Sequence, residues 1–211
     1  MNTGFFNING VIGSNAQDGS SLVLLGTYTN NFSQTAIQIG NVSNGNHGDI
    51  NIDWTQFDLY RVQIINAFPS VGGNVLEAQV SEDSLASLKG VGYDTWGQGI
   101  DSTGASQNYT APGVGQIDLN STILNGAQST SQAYESYYEL EIIRPNTNNR
   151  AKAFRFDATF FAGTATLVRL IGGASYVNDT NPINGIRFWY GLGATTFMPG
   201  AICRVYGVKN L

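Results

Sequence analysis

The chain has one histidine, His47, and one cysteine, Cys203, so a nucleophile–base pair has almost nothing to be built from. His47 falls in a Gly/Asn loop (41–51), where a lone imidazole reads as a solvated surface residue. Cys203, on an alternating run between Ile202 and Arg204, reads as a small buried apolar side chain. A zinc site and an intrachain disulfide both lack ligands or partners. Glycoside hydrolysis needs two carboxylates flanking one bond. Glu139 and Glu141 lie two apart on one strand face and read as neighbours on a solvated surface. Glu82-Asp83, Asp94 with Asp101, Asp49 with Asp53, and Asn178-Asp179 offer oxygen ligands but no EF-hand spacing. No GxSxG, P-loop, HExxH or Rossmann glycine run stands in a fitting context. These readings predict no catalytic residue, no metal, no cofactor and no enzymatic activity.

The aromatics carry a stronger signal. Tyr93, Trp96 and Tyr109 stand among Gly, Ser and Asp in the stretch 81–115, which shows no periodicity. Such an excursion either faces a ligand or subunit, or tucks its rings onto the body of the domain. In Phe188-Trp189-Tyr190, consecutive side chains of a strand point to opposite faces, so at least one large ring must face outward or against a neighbour. Tyr93, Trp96, Tyr109 and Trp189 are therefore the candidate contacts for a sugar ring or a partner surface.

The elements that would position these rings are strands. Alternation or β-branched runs mark Leu22–Thr27, Thr35–Ile39, Leu59–Ile65, Val75–Val80, Gln116–Leu124, Tyr137–Ile143, Ala153–Phe161, Ala165–Ile171, Ile186–Tyr190 and Ile202–Val208. In Ala153–Phe161, Phe154, Phe156, Ala158 and Phe160 face in while Arg155, Asp157 and Thr159 face out. Leu59–Ile65 and Val75–Val80, joined through Pro69 and Gly72-Gly73, read as a hairpin-like pair. Ser84–Lys89 has room for one helical turn before Gly90 and Gly92 end it. No segment sustains a 3.6-residue period. The fold class read from this is all-β: an antiparallel β-sandwich of jelly-roll type over 21–211, with few or no helices.

Composition agrees and excludes further classes. Of 211 residues only 12% are charged, about half the usual globular share of roughly 25%, and 26 are glycine. Ten Lys plus Arg against fifteen Asp plus Glu give a net charge of −5, with no basic stripe to grip nucleic acid. No run of about 18 apolar residues is present to cross a bilayer as a helix. The N-terminus lacks a basic region followed by an apolar stretch, and is read as no signal peptide.

Two segments carry a family resemblance. Phe57 to Ser84 runs as aromatic-Asp-x-Tyr, an apolar strand, Asn66-x-x-Pro69, a short loop and Leu76-x-x-x-x-Ser81. Ile183 to Leu211 runs as Gly185-Ile-Arg-Phe188, a Gly-containing turn, an aromatic, a Gly-led last strand and Tyr206-Gly-Val-Lys209. Together they resemble the virion jelly-roll proteins of tailed bacteriophages, the modules of tail fibres, receptor-binding tips and head spikes. The chain departs from that pattern where Ser84-Leu85-Ala86-Ser87 replaces an expected Gly-Gly. The resemblance implies a homotrimer located in the virion, bound to other phage proteins, and attached to a host-surface glycan. A purely architectural capsid decoration, head fibre or tail adaptor shares the same signature. Residues 1–20 lack a strand pattern and read as an extended docking segment, with Phe5, Phe6, Ile8 and Ile12 as its apolar anchors.

Overall fold

The computed structural model describes residues 21–40, 48–120, 129–130, 135–163, 166–177, 180–191 and 195–209. Phe5, Phe6, Ile8, Ile12, His47, Asn178 and Asp179 lie outside them. Within the described residues all regular structure is strand: β1 (Ser21–Thr29), β2 (Ala36–Gly40), β3 (Gly48–Ile50), β4 (Leu59–Ile65), β5 (Leu76–Ser81), β6 (Tyr93–Asp101), β7 (Ser106–Val114), β8 (Ile117–Asp118), β9 (Tyr137–Ile143), β10 (Lys152–Ala162), β11 (Thr166–Tyr176), β12 (Gly185–Tyr190) and β13 (Ile202–Lys209).

The strands form two sheets. The larger runs β1-β13-β4-β9-β10-β11-β6-β7 and the smaller β3-β2-β12-β5-β8. All pairs are antiparallel except β2 with β3. The quartet β1-β13-β4-β9 opposite β2-β12-β5-β8 is the strand order of a jelly roll. Two hairpins are inserted into it: β6–β7 between β5 and β8, and β10–β11 between β9 and β12. Both dock on the open edge beyond β9 and widen one sheet to eight strands.

The core lies between the sheets and follows from period-2 patterning. Tyr60, Val62 and Ile64 of β4, Tyr138, Leu140 and Ile142 of β9, and Phe154, Phe156, Ala158 and Phe160 of β10 point into it. Leu76, Ala78 and Val80 of β5, with Ile186 and Phe188 of β12, meet them from the small sheet. Cys203 is buried among them, and burial pushes its thiol pKa up.

Four sequence expectations are corrected. Leu59–Ile65 and Val75–Val80 are not a hairpin: β4 belongs to the large sheet and β5 to the small one. Each offers one apolar face, which local pattern cannot assign to a layer, and the intervening connection, with Asn66 at φ 55° and Gly73 at φ 87°, crosses the sandwich edge. Ser84–Lys89 forms no helical turn, because Ser84 (φ 58°) and Leu85 (φ 68°) take left-handed backbone. Gln116–Leu124 contracts to the two-residue β8, and 121–128 lie outside the described residues.

The stretch 81–115 is a hairpin over its second half and not an irregular excursion. β6 does alternate, with Tyr93, Thr95, Gly97 and Gly99 inward and Asp94, Trp96, Gln98 and Ile100 outward. Two inward positions are glycines, so hydropathy does not alternate with geometry. Gly97 has to be small: a Cβ there would stand 2.3 Å from Cε1 of Tyr109, whose ring fills the space. Asp101 closes the hairpin by accepting hydrogen bonds from the Thr103 amide (2.8 Å) and hydroxyl (2.6 Å) and the Ala105 amide (3.1 Å).

Candidate functional site

Because one face of the eight-stranded sheet covers the core, the side chains that alternate with core residues stand on the other face. Strand register turns them into rows. One row reads Tyr206, Arg61, Glu141, Arg155, Gly173, Trp96 and Thr110 across β13, β4, β9, β10, β11, β6 and β7. The next reads Arg204, Gln63, Glu139, Asp157, Ile171, Gln98 and Asn108. Adjacent members of a row are roughly 5 Å apart.

The left half of these rows is an ion-pair ladder. Arg61 Nη2 lies 2.8 Å from Glu141 Oε1, and its Nε 3.3 Å from Glu139 Oε1. Arg155 Nη2 takes the second Glu141 oxygen at 2.7 Å. Glu141 is only 5% exposed, so two guanidinium partners offset the cost of its burial. The expectation of a solvated Glu139/Glu141 face is thus corrected: the two carboxylates share a face but are the held members of a network. Glu139 Oε2 accepts from Gln63 Nε2 (3.1 Å) and from the Tyr137 hydroxyl (2.5 Å). Burial, together with that donated hydrogen bond, raises the Tyr137 pKa. Arg169 engages Asp157 through Nη2 at 2.7 Å and Nε at 3.3 Å.

The right half is flat and aromatic. Gly173 on the outer side of β11 leaves the sheet surface bare there, and the Trp96 indole lies over it. Trp96 is 56% exposed, unusual for so large a ring. Between it and the ladder runs an open groove of about 900 Å³, bounded by Asp94, Trp96, Thr110 and Pro112 on one side and Glu139, Glu141, Arg155 and Asp157 on the other. Four of the five strands that form it come from the two inserted hairpins; only β9 belongs to the jelly-roll quartet.

Of the four predicted contact rings, Trp96 alone lines this groove. Tyr93 is fully buried, its hydroxyl accepting from the Val80 amide at 2.9 Å and its ring tilted on Tyr176 at 5.1 Å. Tyr109 points inward and donates to the Asp118 carbonyl at 3.0 Å. Both tyrosines therefore tie the inserted hairpin to the small sheet and present no ring to a ligand, because both occupy core-side positions of their strands. Trp189 lies on the outer face of the small sheet, with the Arg187 guanidinium 5.6 Å from its ring centroid. Residue type and spacing do not single out Arg155, Asp157 and Gly173 as site residues. Outward alternation shows the first two leaving the core, but only cross-strand register brings them to Glu139, Glu141 and Trp96.

The other acidic clusters are otherwise occupied. Asp83 accepts from the Ser87 hydroxyl (2.5 Å), the Ser81 hydroxyl (2.7 Å) and the Ser87 amide (2.8 Å), which pulls its pKa down to about 2. Glu82 pairs with Lys89 at 2.8 Å. No group of three or more His, Cys, Asp or Glu side chains is placed to hold a metal among the described residues.

A tryptophan plate beside side chains that both donate and accept hydrogen bonds suits a ligand with apolar C–H faces and many hydroxyls.

No protein-family model matches the chain. No curated protein matches it either. Among solved structures it is similar to a PL-14 alginate lyase from Aplysia kurodai, with 8% identity, TM-score 0.34, and coverage of 91% of this chain and 83% of that one. It is also similar to an engineered GH43 glycoside hydrolase described as having endo-xylanase and exo-arabinofuranosidase activity. There the identity is 10%, the TM-score 0.28, and the coverage 96% of this chain and 36% of that one. Both are enzymes, and the expectation that this chain is not an enzyme is corrected on that ground. Likeness at this level assigns the chain no activity of its own.

Proposed function

We propose that the groove binds a glycan and that the chain is an attachment module of a bacteriophage virion appendage. The observation that carries the binding reading is the Trp96 indole, laid open over Gly173 and facing Arg155 and Asp157 across the groove. A pyranose has an apolar face for the ring and an equatorial rim of hydroxyls for the guanidinium and carboxylates. The virion placement rests on the resemblance of Phe57–Ser84 and Ile183–Leu211 to phage jelly-roll proteins. A trimer with partners in the particle belongs to the same reading. Low charge and a single buried thiol suit a part that must persist outside cells.

The test is binding of the purified chain to host-cell surface polysaccharide, alongside Trp96→Ala. The variant is expected to bind at least about tenfold more weakly with an unchanged unfolding midpoint. Equal binding by both proteins overturns the groove assignment.

A second reading, an architectural protein bound only to other virion proteins, is favoured by Ile100, Leu167 and Ile171, which are exposed on the same sheet face. Incorporation into particles that survives Trp96→Ala but fails in Ile100→Asp/Ile171→Asp would support it.

A further inference from the structure

The charges in the groove say which glycans fit, a selectivity that rests on the proposed glycan binding. The guanidinium that lines the groove, Arg155, is held by Glu141. The two beside the groove are answered as well, Arg61 by Glu139 and Glu141 and Arg169 by Asp157. The carboxylates outnumber them, since Asp94 on the opposite side meets the Gly113 amide, at 2.8 Å, and no cation among the described residues. The floor between, Ile171, Gly173 and Ser175, is uncharged. Arg155 is 71% exposed and still turns N–H donors toward the groove, but the nearly buried Glu141 fixes its position and compensates its charge.

We infer that the groove selects an uncharged, hydroxyl-rich glycan and rejects polyuronates and other polyanionic chains. A hydroxyl both donates and accepts, so it can satisfy Asp157 and Glu139 as well as Arg155. A carboxylate or sulfate only accepts. Laid in this groove it would stand about one strand spacing from Asp157, Glu139 or Asp94, with no unpaired cation to receive it among the described residues. The net charge of −5 opposes approach of a polyanion from outside as well.

The experiment compares binding of the full chain to soluble mannan, galactan and β-glucan with binding to polygalacturonate, at about 50 and about 500 mM NaCl. At least one neutral polymer is expected to bind, with its affinity changing less than about twofold between the two salts. Polygalacturonate is expected to bind at least about tenfold more weakly at low salt. Asp157→Asn, which frees Arg169, and Glu139→Gln are each expected to raise polygalacturonate affinity about fivefold and to make it salt-sensitive. Tighter binding of polygalacturonate than of any neutral polymer by the wild-type chain, lost at high salt, overturns this inference and leaves the glycan reading standing. Binding of no polymer of either class overturns the glycan reading itself.

Discussion

The Trp96 indole rests directly on the backbone of Gly173: a Cβ built at 173 would stand 2.9 Å from Nε1 and 3.1 Å from Cε2. Glycine at this position is therefore what lets the ring come this close to the sheet. Gly173→Ala should lift the indole, shift its fluorescence, and weaken glycan binding about tenfold. Stability should stay within roughly 1 kcal/mol, since the obstacle is chiefly a side chain at the surface and alanine is the better strand residue. Unchanged fluorescence in the variant would show that the ring does not depend on this contact.

The preceding glycine should behave differently. A Cβ at Gly172 would meet Phe156 Cζ and the Trp96 carbonyl oxygen, each at 2.3 Å. The second is backbone and cannot rotate away, and the first is packed in the core. Gly172→Ala should destabilise the protein by about 1–3 kcal/mol in urea unfolding. Adjacent residues with the same substitution thus separate site from scaffold.

Arg61 and Arg155 both hold Glu141, but they are not equivalent. Arg61 is the less exposed partner and also reaches Glu139, so Arg61→Met leaves two neighbouring carboxylates short of a cation. The expected loss is about 2–4 kcal/mol. Arg155→Met removes a far more exposed side chain and should cost about 1 kcal/mol or less, with its main effect on ligand binding. Denaturant midpoints for the two variants and the double variant would measure the coupling.

On the small sheet, Glu77 of β5 faces Asp118 of β8 in direct register. Burial first, and then the Asp118 charge, raise the Glu77 pKa from 4.5 to about 7. Burial raises Asp118 as well. A carboxyl whose folded pKa lies above its unfolded value contributes stability that is full below the unfolded value and is lost as pH rises through the folded one. Stability should therefore fall between about pH 4.5 and pH 7, by an order of 1–2 kcal/mol after discounting for partial solvent screening. Glu77→Gln should flatten this part of the profile, measured as unfolding midpoint against pH. A wild-type profile already flat over that window would contradict the raised value.

Cys203 should be inert in the native protein. It is fully buried, and desolvation holds its pKa above the usual thiol range. A chromogenic disulfide reagent at neutral pH should label it only as fast as the protein unfolds. Rapid labelling of the folded chain would place the thiol at the surface.

What the amino-acid order determined alone is the material of each layer. Alternation in β4, β5, β9 and β10 assigned core and surface residues to the faces where they are found, because the side-chain period of a strand is two whatever the strand pairs with. Low charge and abundant glycine likewise fit an all-strand fold. Tertiary structure decided which strands became neighbours. Arg61, Glu141 and Arg155 are separated by long stretches of chain, and nothing local sets them in one row; pairing of β4, β9 and β10 does. The β6–β7 hairpin was illegible for the related reason that Gly97 and Gly99 occupy core-side positions, where a ring from the next strand supplies the apolar bulk. Trp96 could be named from its residue type, but its setting depends on a bare glycine on another strand and an ion-pair ladder one strand farther on, both set by register.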